Sequence, residues 1–257
     1  MASSPSIRLG ISRCLLGDEV RFDGGHKRDD YVADVLGCYV EWVPVCPEVE
    51  AGLRTPRDAM RLVGDPLHPR LVTIKSGIDH TRVLEKMSTQ RIRELKELDL
   101  SGYVFKKNSP SCGTQGVRIY SEQGKPGRSG VGLFARAFIQ QFPLIPVEDE
   151  GRLGDPALRE NFIERVFCYR RWQDLMQGGV TRQALVQFHR VHKYLLMAHS
   201  PQHYQALGRL VGQAAQHRPK ALAGLYGALF METLVMKATV RKQVNVLQHM
   251  LGYFKKM

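Results

Sequence analysis

Residues 39–52 read YVEWVPVCPEVEAG, and this stretch sets a pattern that the first half of the chain repeats. Tyr39 to Val45 is rich in valine and aromatic residues, which predicts a β-strand. Cys46 follows that strand directly, lies between two prolines and precedes two carboxylates. A cysteine buried only for packing does not need this frame, so the stretch raises the question of a reactive or metal-bound thiol.

The same arrangement of strand and cysteine occurs twice more. Ile7 to Ser12 predicts a buried strand that is followed by Cys14, and Gly102 to Phe105 predicts another that is followed by KKNSPSCG and Cys112. Further strands are predicted in GVRIY and PLIPV, and helical spacing is found at 27–36, 79–98 and 131–142. This alternation predicts an α/β domain with a mainly parallel sheet, whose strands would bring the three cysteines to one edge.

The C-terminal half has a different pattern. From about Asp155 the apolar residues recur with helical period to the end of the chain, which predicts an all-α helical bundle. Thr181 is a predicted N-cap, and Pro201 and Pro219 fit the first turns of helices. We therefore expect two domains, at residues 1–152 and 153–257.

Positive charge is concentrated in this C-terminal half. Residues 151–257 hold 16 Lys and Arg and 5 Asp and Glu, a net charge of +11, out of +12 for the whole chain. Such a domain is a candidate for holding a polyanion such as RNA, and the alternative is a solvated basic surface. The expected RNA contacts are Arg182, Arg190 and Lys193, with Tyr194 and Tyr204 available to stack on bases.

The five cysteines stand at wide spacings and are odd in number. The first residues carry no basic segment followed by an apolar core, so no secretion signal is expected. The longest apolar stretch, residues 221–236, is interrupted by glycines and Glu232 and predicts a buried helix rather than a membrane span. We therefore expect a cytoplasmic protein with reduced thiols, in which Cys38 and Cys168 are structural.

Three thiolates at one sheet edge leave three interpretations open. With His26 as a fourth ligand, Cys14, Cys46 and Cys112 would complete a tetrahedral zinc site. Without it, they could hold a cubane iron–sulfur cluster and leave one iron without a protein ligand. They could also be small buried residues with no ligand at all.

Polar residues surround the three cysteines in sequence. Glu48 lies two residues after Cys46, close enough to move a proton at a bound metal, whereas Glu50 and Ser111 are expected in turn or capping roles. We call KKNSPSCG, residues 106–113, the third cysteine segment. The wider substrate pocket is expected to include residues of FDGGHK and of this segment, namely Asp23, Gly24, Gly25, His26, Lys107 and Ser111. The alternative for the overlapping segment GDEVRFDGG is a tight hairpin.

A histidine-rich helix is predicted between Thr181 and Ser200. His189, His192 and His199 share one stripe with apolar residues, and no carboxylate lies near them in sequence. Hydrogen-bonded core or interface histidines are therefore favoured over a metal site.

Three motifs together are distinctive: ISRCLLGDEVRFDGGHKRD, PVCPEVEAGLRTPRDAMRLV and KKNSPSCG. They resemble the thiouracil desulfidase family, and the resemblance covers nearly all of residues 5–150. The segment LVQFHRVHKYLLMAHSPQHYQALGRLV looks like a second, uncharacterised helical family that is often fused to the first. The fused arrangement resembles bacterial desulfidases that convert 4-thiouridine in tRNA to uridine.

This resemblance implies a 4Fe-4S cluster held by Cys14, Cys46 and Cys112, with one open iron that binds the thiocarbonyl sulfur. It also implies catalytic roles for Glu48 and Ser109, release of hydrogen sulfide, and a non-redox reaction that requires no redox partner. The partner would be tRNA containing 4-thiouridine, with no membrane involved. The alternatives are a desulfidase for free thiouracil or thionucleosides, and a non-catalytic zinc-containing RNA-binding protein.

Overall fold

The computed structural model describes residues 7–254 and divides the chain into two compact units, residues 1–162 and 163–257. We call them the N-terminal unit and the helical unit. Their boundary falls inside a long helix, about ten residues after the boundary expected from the sequence.

The strands of the described residues all belong to the N-terminal unit. Numbered along the chain, they are β1 (Arg8–Ser12), β2 (Glu41–Val45), β3 (Met60–Val63), β4 (Arg70–Thr73), β5 (Gly102–Phe105), β6 (Val117–Tyr120), β7 (Pro126–Gly130) and β8 (Val147–Asp149). One sheet has the order β2-β1-β5-β8, and all of its strands are parallel. The predicted α/β domain with a mainly parallel sheet is therefore confirmed.

A second four-stranded sheet, with the order β4-β3-β6-β7, was predicted only at its β6 strand. It is mixed, because β3 pairs parallel with β6 while β4 and β7 pair antiparallel. Its strands are short, and β7 reads PGRSG, which has neither alternation nor residues of high β-propensity. Long-range packing holds the sheet, since Leu62, Leu71 and Ile119 lie in one core cluster.

The helices of the N-terminal unit are α1 (Pro47–Glu50), α2 (Thr81–Lys96), α3 (Leu133–Gln141) and α4 (Glu150–Leu153), and α5 begins there. Helices α2 and α3 confirm two predicted helices. The helix predicted at 27–36 is instead a π turn, Tyr31–Val35, followed by a 3-10 turn, Leu36–Cys38. The Asp29 carboxylate accepts from the backbone N–H of Val32, so the helical turns begin later than predicted.

The segment that carries the third cysteine is bound to the start of α3. The carbonyls of Pro110 and Ser111 accept from the backbone N–H groups of Leu133 and Phe134, at 3.1 and 3.0 Å. These N–H groups would otherwise lack partners within the helix. Gly132 makes the contact possible, because a Cβ there would lie 2.5 Å from the carbonyl carbon of Ser111.

The helical unit contains helices that run to the end of the described residues. They are α5 (Pro156–Gln177), α6 (Arg182–Val191), α7 (Lys193–His199), α8 (Pro201–Gly212), α9 (Pro219–Val235) and α10 (Val240–Phe254). The predicted caps are confirmed: the Thr181 hydroxyl accepts from the Ala184 N–H at 3.1 Å, and Pro201 and Pro219 begin their helices. The predicted all-α C-terminal half is confirmed as well.

Buried histidines tie these helices together. His192 Nδ1 donates to the Phe188 carbonyl at 2.8 Å, and His199 Nε2 lies 2.7 Å from the Glu164 carboxylate of α5. Burial lowers the pKa of His192, and the nearby charge of Arg171 lowers it further. The hydrogen-bonded core histidines expected from the sequence are confirmed, although Glu164 supplies a carboxylate that the local sequence lacks.

Within residues 7–254 no single helix combines the length and the hydropathy needed to cross a membrane. Helices α9 and α10 reach the required length and hydropathy only when they are taken as a pair, and the chain bends by 117° between them.

Gly132→Ala is expected to destabilise the protein by about 1–3 kcal/mol, because the new methyl group overlaps the backbone of Ser111. Gly224→Ala is the matched control, since a Cβ at Gly224 in α9 meets no atom within 4 Å and alanine favours helix. Urea denaturation followed by circular dichroism measures both variants. Equal stability of the two variants would contradict the proposed contact between Gly132 and the cysteine segment.

Candidate active site

A cavity of about 380 Å³ lies beyond the carboxyl ends of β1, β2 and β5. Cys14, Cys46 and Cys112 all line it, as parallel pairing of the strands predicts. Cys14 lies in the 3-10 turn Arg13–Leu16, which follows β1 directly, and Cys46 is the N-cap residue of α1. The three thiols are free, so the fold gathers them without a disulfide.

The surroundings of the thiols disfavour the thiolate form in the absence of a bound cation. Burial, together with the neighbouring charge of Cys46, raises the pKa of Cys14 to about 11. Burial also raises the pKa of Cys46 and of Cys112. For Cys112, a hydrogen bond with the Ser12 side chain partly offsets this effect. Because thiols must lose a proton to ligate a metal, a bound cation is the partner that would compensate this burial.

Glu48 lines the same cavity and is held by an arginine. Its Oε2 accepts from Arg57 Nε at 2.9 Å and from Arg57 Nη2. The two side chains are only 12% and 9% exposed. Arg57 also donates to the carbonyl of Val20 at 3.0 Å, which links the ion pair to the segment before the hairpin.

Arg57 did not emerge from the sequence as a site residue. It lies nine residues after Glu48 in the quoted motif, and the available signal was chemical. A carboxylate placed in a buried turn needs a cation partner.

Two serines extend the contacts of Glu48. Ser111 Oγ donates to Glu48 Oε1 at 2.7 Å, and Ser109 Oγ lies 2.9 Å from Ser111 Oγ. A hydroxyl has one proton, and an ionised carboxylate can only accept. The hydrogen bonds therefore run from Ser109 to Ser111 to Glu48. Ser111, expected in a turn role, contacts the carboxylate directly, whereas Ser109 accepts from the backbone N–H of Cys112 at 3.1 Å.

Residues 21–25, within GDEVRFDGG, form the tight hairpin that the sequence offered as an alternative. The backbone N–H of Gly24 donates to the Arg21 carbonyl at 3.0 Å, and that of Arg21 donates to the Gly25 carbonyl at 3.2 Å. Asp23 accepts from the Arg21 guanidinium at 3.3 Å, and His26 Nδ1 accepts from the backbone N–H of Arg28 at 3.2 Å. Asp23, Gly24, Gly25 and His26 are outside the set that lines the cavity, whereas Arg21, Phe22 and Lys27 line it.

The lysines of the third cysteine segment do lie at the cavity. Lys107 lines it, and its backbone N–H donates to Glu150 Oε2 at 2.7 Å. The Lys106 ammonium pairs with the same carboxylate. Glu150 of α4 therefore fixes this side of the cavity.

The residues expected to contact RNA differ in their environments. Arg182 donates to the carbonyls of His217 and Ala215 at 3.0 and 3.4 Å, so it is engaged in holding the chain after α8. Arg190 is exposed, and Lys193 Nζ lies 5.3 Å from the centre of the Tyr194 ring. Tyr204 stacks on His189 at 5.2 Å, a contact within the fold.

The donor set fits a cluster better than a single ion. Within residues 7–254, no group of three or more His, Cys, Asp or Glu side chains is arranged to hold one metal ion. A zinc site requires its thiolates about 2.3 Å from one centre. A four-iron cluster is a larger body whose thiolate ligands stand farther apart, and three cysteines on one cavity wall suit it.

Comparison with known proteins identifies the family of the N-terminal part of the chain. A family model described as 2-thiouracil desulfurase matches residues 9–150, more than half of the chain and all of the segments that build the cavity. The chain belongs to the 2-thiouracil desulfurase family. It is therefore an enzyme of a family that cleaves carbon–sulfur bonds, and the resemblance seen in the sequence is confirmed. A second model, of a protein family of unknown function (DUF1722), matches residues 193–257.

Individual relatives cover parts of this desulfurase. The uncharacterized protein YbbK of Bacillus subtilis (strain 168) is 32% identical over 110 residues, which are 40% of this chain and 72% of YbbK. The uncharacterized protein YbgA of Escherichia coli (strain K12) is 32% identical over 99 residues, which are 37% of this chain and 57% of YbgA. A solved structure of TudS, described as a 4Fe-4S-dependent thiouracil desulfidase, is 31% identical with a TM-score of 0.47, covering 58% of this chain and 93% of that one.

Arg57→Ala is expected to lower the free energy of unfolding by about 3–5 kcal/mol, because it leaves the Glu48 carboxylate buried without its cation. Arg70→Ala is the matched control. Its pair with Glu122 is exposed, at 47% and 59%, so its loss is expected to cost about 1 kcal/mol or less. Urea denaturation compares the two variants, and equal losses would contradict a special role for the Arg57–Glu48 pair.

Proposed function

We propose that this desulfurase hydrolyses 4-thiouridine in tRNA to uridine, at a 4Fe-4S cluster held by Cys14, Cys46 and Cys112. The observation that carries the proposal is the content of one cavity. Three free thiols share it with Glu48, whose carboxylate is paired with an arginine and hydrogen-bonded to a serine hydroxyl. The overall reaction adds water and releases hydrogen sulfide, with no net redox change.

The cofactor follows from the donors available at the cavity. Three cysteines can ligate three irons of a cubane cluster, which leaves the fourth iron without a protein ligand. When bound, such a cluster supplies a soft Lewis acid that suits a thiocarbonyl sulfur better than a carbonyl oxygen. TudS is described as 4Fe-4S-dependent, and the cluster proposed for this chain is of the same type.

The protein's own groups supply the proton transfers. Glu48 accepts a proton from the water that attacks the ring carbon and returns it to the departing sulfur. Arg57 occupies Oε2, so the exchange takes place at Oε1, which Ser111 also contacts. The Ser109 hydroxyl donates to the Ser111 hydroxyl, which in turn donates to Glu48. Both hydroxyls therefore help to keep the carboxylate oriented toward the cavity.

The helical unit supplies the reason to choose tRNA over a free base. A net charge of +11 in residues 151–257 suits the phosphates of a folded RNA, and such binding weakens as salt rises. Arg190 and Lys193 remain the proposed contacts. The thiolated base has to leave its stack to enter the cavity, which costs a few kcal/mol. We place this reaction in the cytoplasm, where thiols stay reduced.

Free thiouracil or a thionucleoside is the second candidate substrate. The family description names 2-thiouracil, and a cavity of about 380 Å³ lies within the ~300–1,000 Å³ range of small-molecule sites. In that case the basic helical unit would serve another partner. A non-catalytic zinc protein is disfavoured, because the described residues hold no arrangement for a single ion.

The anaerobically reconstituted protein is expected to convert 4-thiouridine in tRNA to uridine, with sulfide released in equal amount. Glu48→Gln should retain the cluster's absorption and lose at least about 100-fold in rate, the usual contribution of a general acid–base group. Glu19→Gln, an exposed carboxylate elsewhere, is the control with unchanged rate. Nucleoside mass spectrometry and a sulfide assay measure turnover, with free thiouracil and 4-thiouridine in parallel.

Each part of the proposal has its own contrary result. Unchanged tRNA together with turnover of free thiouracil would select the second candidate. Full activity of Glu48→Gln would remove Glu48 from the mechanism, and a colourless protein with stoichiometric zinc would contradict the desulfidase reaction itself.

A further inference from the structure

Tyr103 of β5 has a buried hydroxyl for which packing gives no reason. The side chain is 0% exposed, and its hydroxyl has no hydrogen-bond partner within the part of the chain that the structure describes. The ring packs against Phe105 at 3.9 Å and Phe138 at 4.7 Å, measured between centroids. A phenylalanine would make the same contacts, whereas an unpaired buried hydroxyl costs stability.

The ring of Tyr103 lies against the neighbouring strand. Tyr103 pairs in register with Gly10 of the neighbouring strand β1. The ring crosses β1 at that point, because a Cβ at Gly10 would lie 2.1 Å from the Tyr103 ring carbon Cδ2. Because Gly10 has no side chain, the Tyr103 ring can extend across β1.

The next residue on this face of β1 belongs to the cysteine site. Ser12 lies two residues after Gly10, so the two share a face. The Ser12 side chain is hydrogen-bonded to the Cys112 thiol, and both residues line the cavity. Tyr103 is buried behind this wall. Burial raises its pKa, and the charge of Cys112 is the next largest cause, followed by that of Glu50.

We propose that the Tyr103 hydroxyl donates a hydrogen bond to the sulfur of Cys112 when Cys112 is in its thiolate form. The inference rests on the proposed cluster, because that thiolate persists only when a metal is bound. A thiol sulfur is a weak acceptor, whereas a charged sulfur is a much stronger one. Tyr103 is a positioning residue under this proposal: it acts through Cys112 and does not touch the substrate.

The expected consequence is a tighter and more easily reduced cluster. Outer hydrogen bonds orient metal ligands, and their loss typically costs 10–100-fold in metal affinity. Hydrogen bonds to cluster sulfurs also raise the reduction potential, because they stabilise the more negative reduced form. Removing the hydroxyl should therefore affect the loaded protein and spare the cluster-free protein.

The test compares Tyr103→Phe with Tyr226→Phe in the full-length chain. Tyr226 is also buried, but its hydroxyl lies 3.2 Å from His189 Nδ1 in the helical unit. Without a cluster, Tyr103→Phe should melt at or above the wild-type temperature, and Tyr226→Phe should melt below it. With a cluster, Tyr103→Phe should lose iron to a chelator on the order of tenfold faster and show a more negative midpoint potential. Tyr226→Phe should match the wild type in both.

Two results would overturn this inference alone. One is a loaded Tyr103→Phe protein with wild-type iron loss and potential. The other is a cluster-free Tyr103→Phe protein destabilised as much as Tyr226→Phe, which would mean that the hydroxyl already has a partner such as a buried water. A wild-type chain that takes up no cluster would instead overturn the proposed function, and this inference with it.

Discussion

The parallel pairing of β1 with β2 on one side and with β5 on the other is the constraint on which the site depends. It sets Ser12 opposite Val45 and Ile11 opposite Val104, so the three strands end at one edge of the sheet. A slip of one residue would turn each side chain to the other face and separate the cysteines. This register determines the positions of the cavity, the thiols and Glu48.

Compensation of buried polar groups explains why the segments beyond the strands keep their shape. Arg57 pairs with Glu48, and the carbonyls of the third cysteine segment accept from the first N–H groups of α3. Each contact satisfies a group that would be costly to bury alone. The cavity wall is therefore held by bonds within the protein itself. The exception is the Tyr103 hydroxyl, which lies behind that wall without a partner among the described residues.

Local patterns in the sequence predicted the parts of the fold that depend on neighbouring residues. The apolar runs before Cys14 and Cys46, and the turn residues around them, predicted both strands and their common edge. The caps at Thr181, Pro201 and Pro219 were predictable for the same reason. The β3-β4-β6-β7 sheet was largely missed because its short strands gain stability from long-range packing, which periodicity does not record.

The residues of the site fall into the same two groups, those that local sequence predicts and those that depend on long-range packing. Residue types and motifs pointed to the cysteines and to Glu48, whereas Arg57 and the contact of Ser111 with Glu48 depend on how separate segments meet. The hairpin residues Asp23 to His26 are a different case. Their glycines indicated close approach to a ligand, and the structure places them in a turn outside the cavity lining.

Iron and sulfide content after replacement of each cysteine by serine tests the central claim most directly. The chain has five cysteines, and we assign the cluster to the three that line the cavity. Cys14→Ser, Cys46→Ser and Cys112→Ser should each lose most of the iron and sulfide that the wild-type chain binds on anaerobic reconstitution. The exposed Cys38 and the buried Cys168 lie outside the cavity, so their serine variants should bind wild-type amounts. Loss of the cluster in either of these two variants alone, or its retention when any of the first three is replaced, would contradict the account.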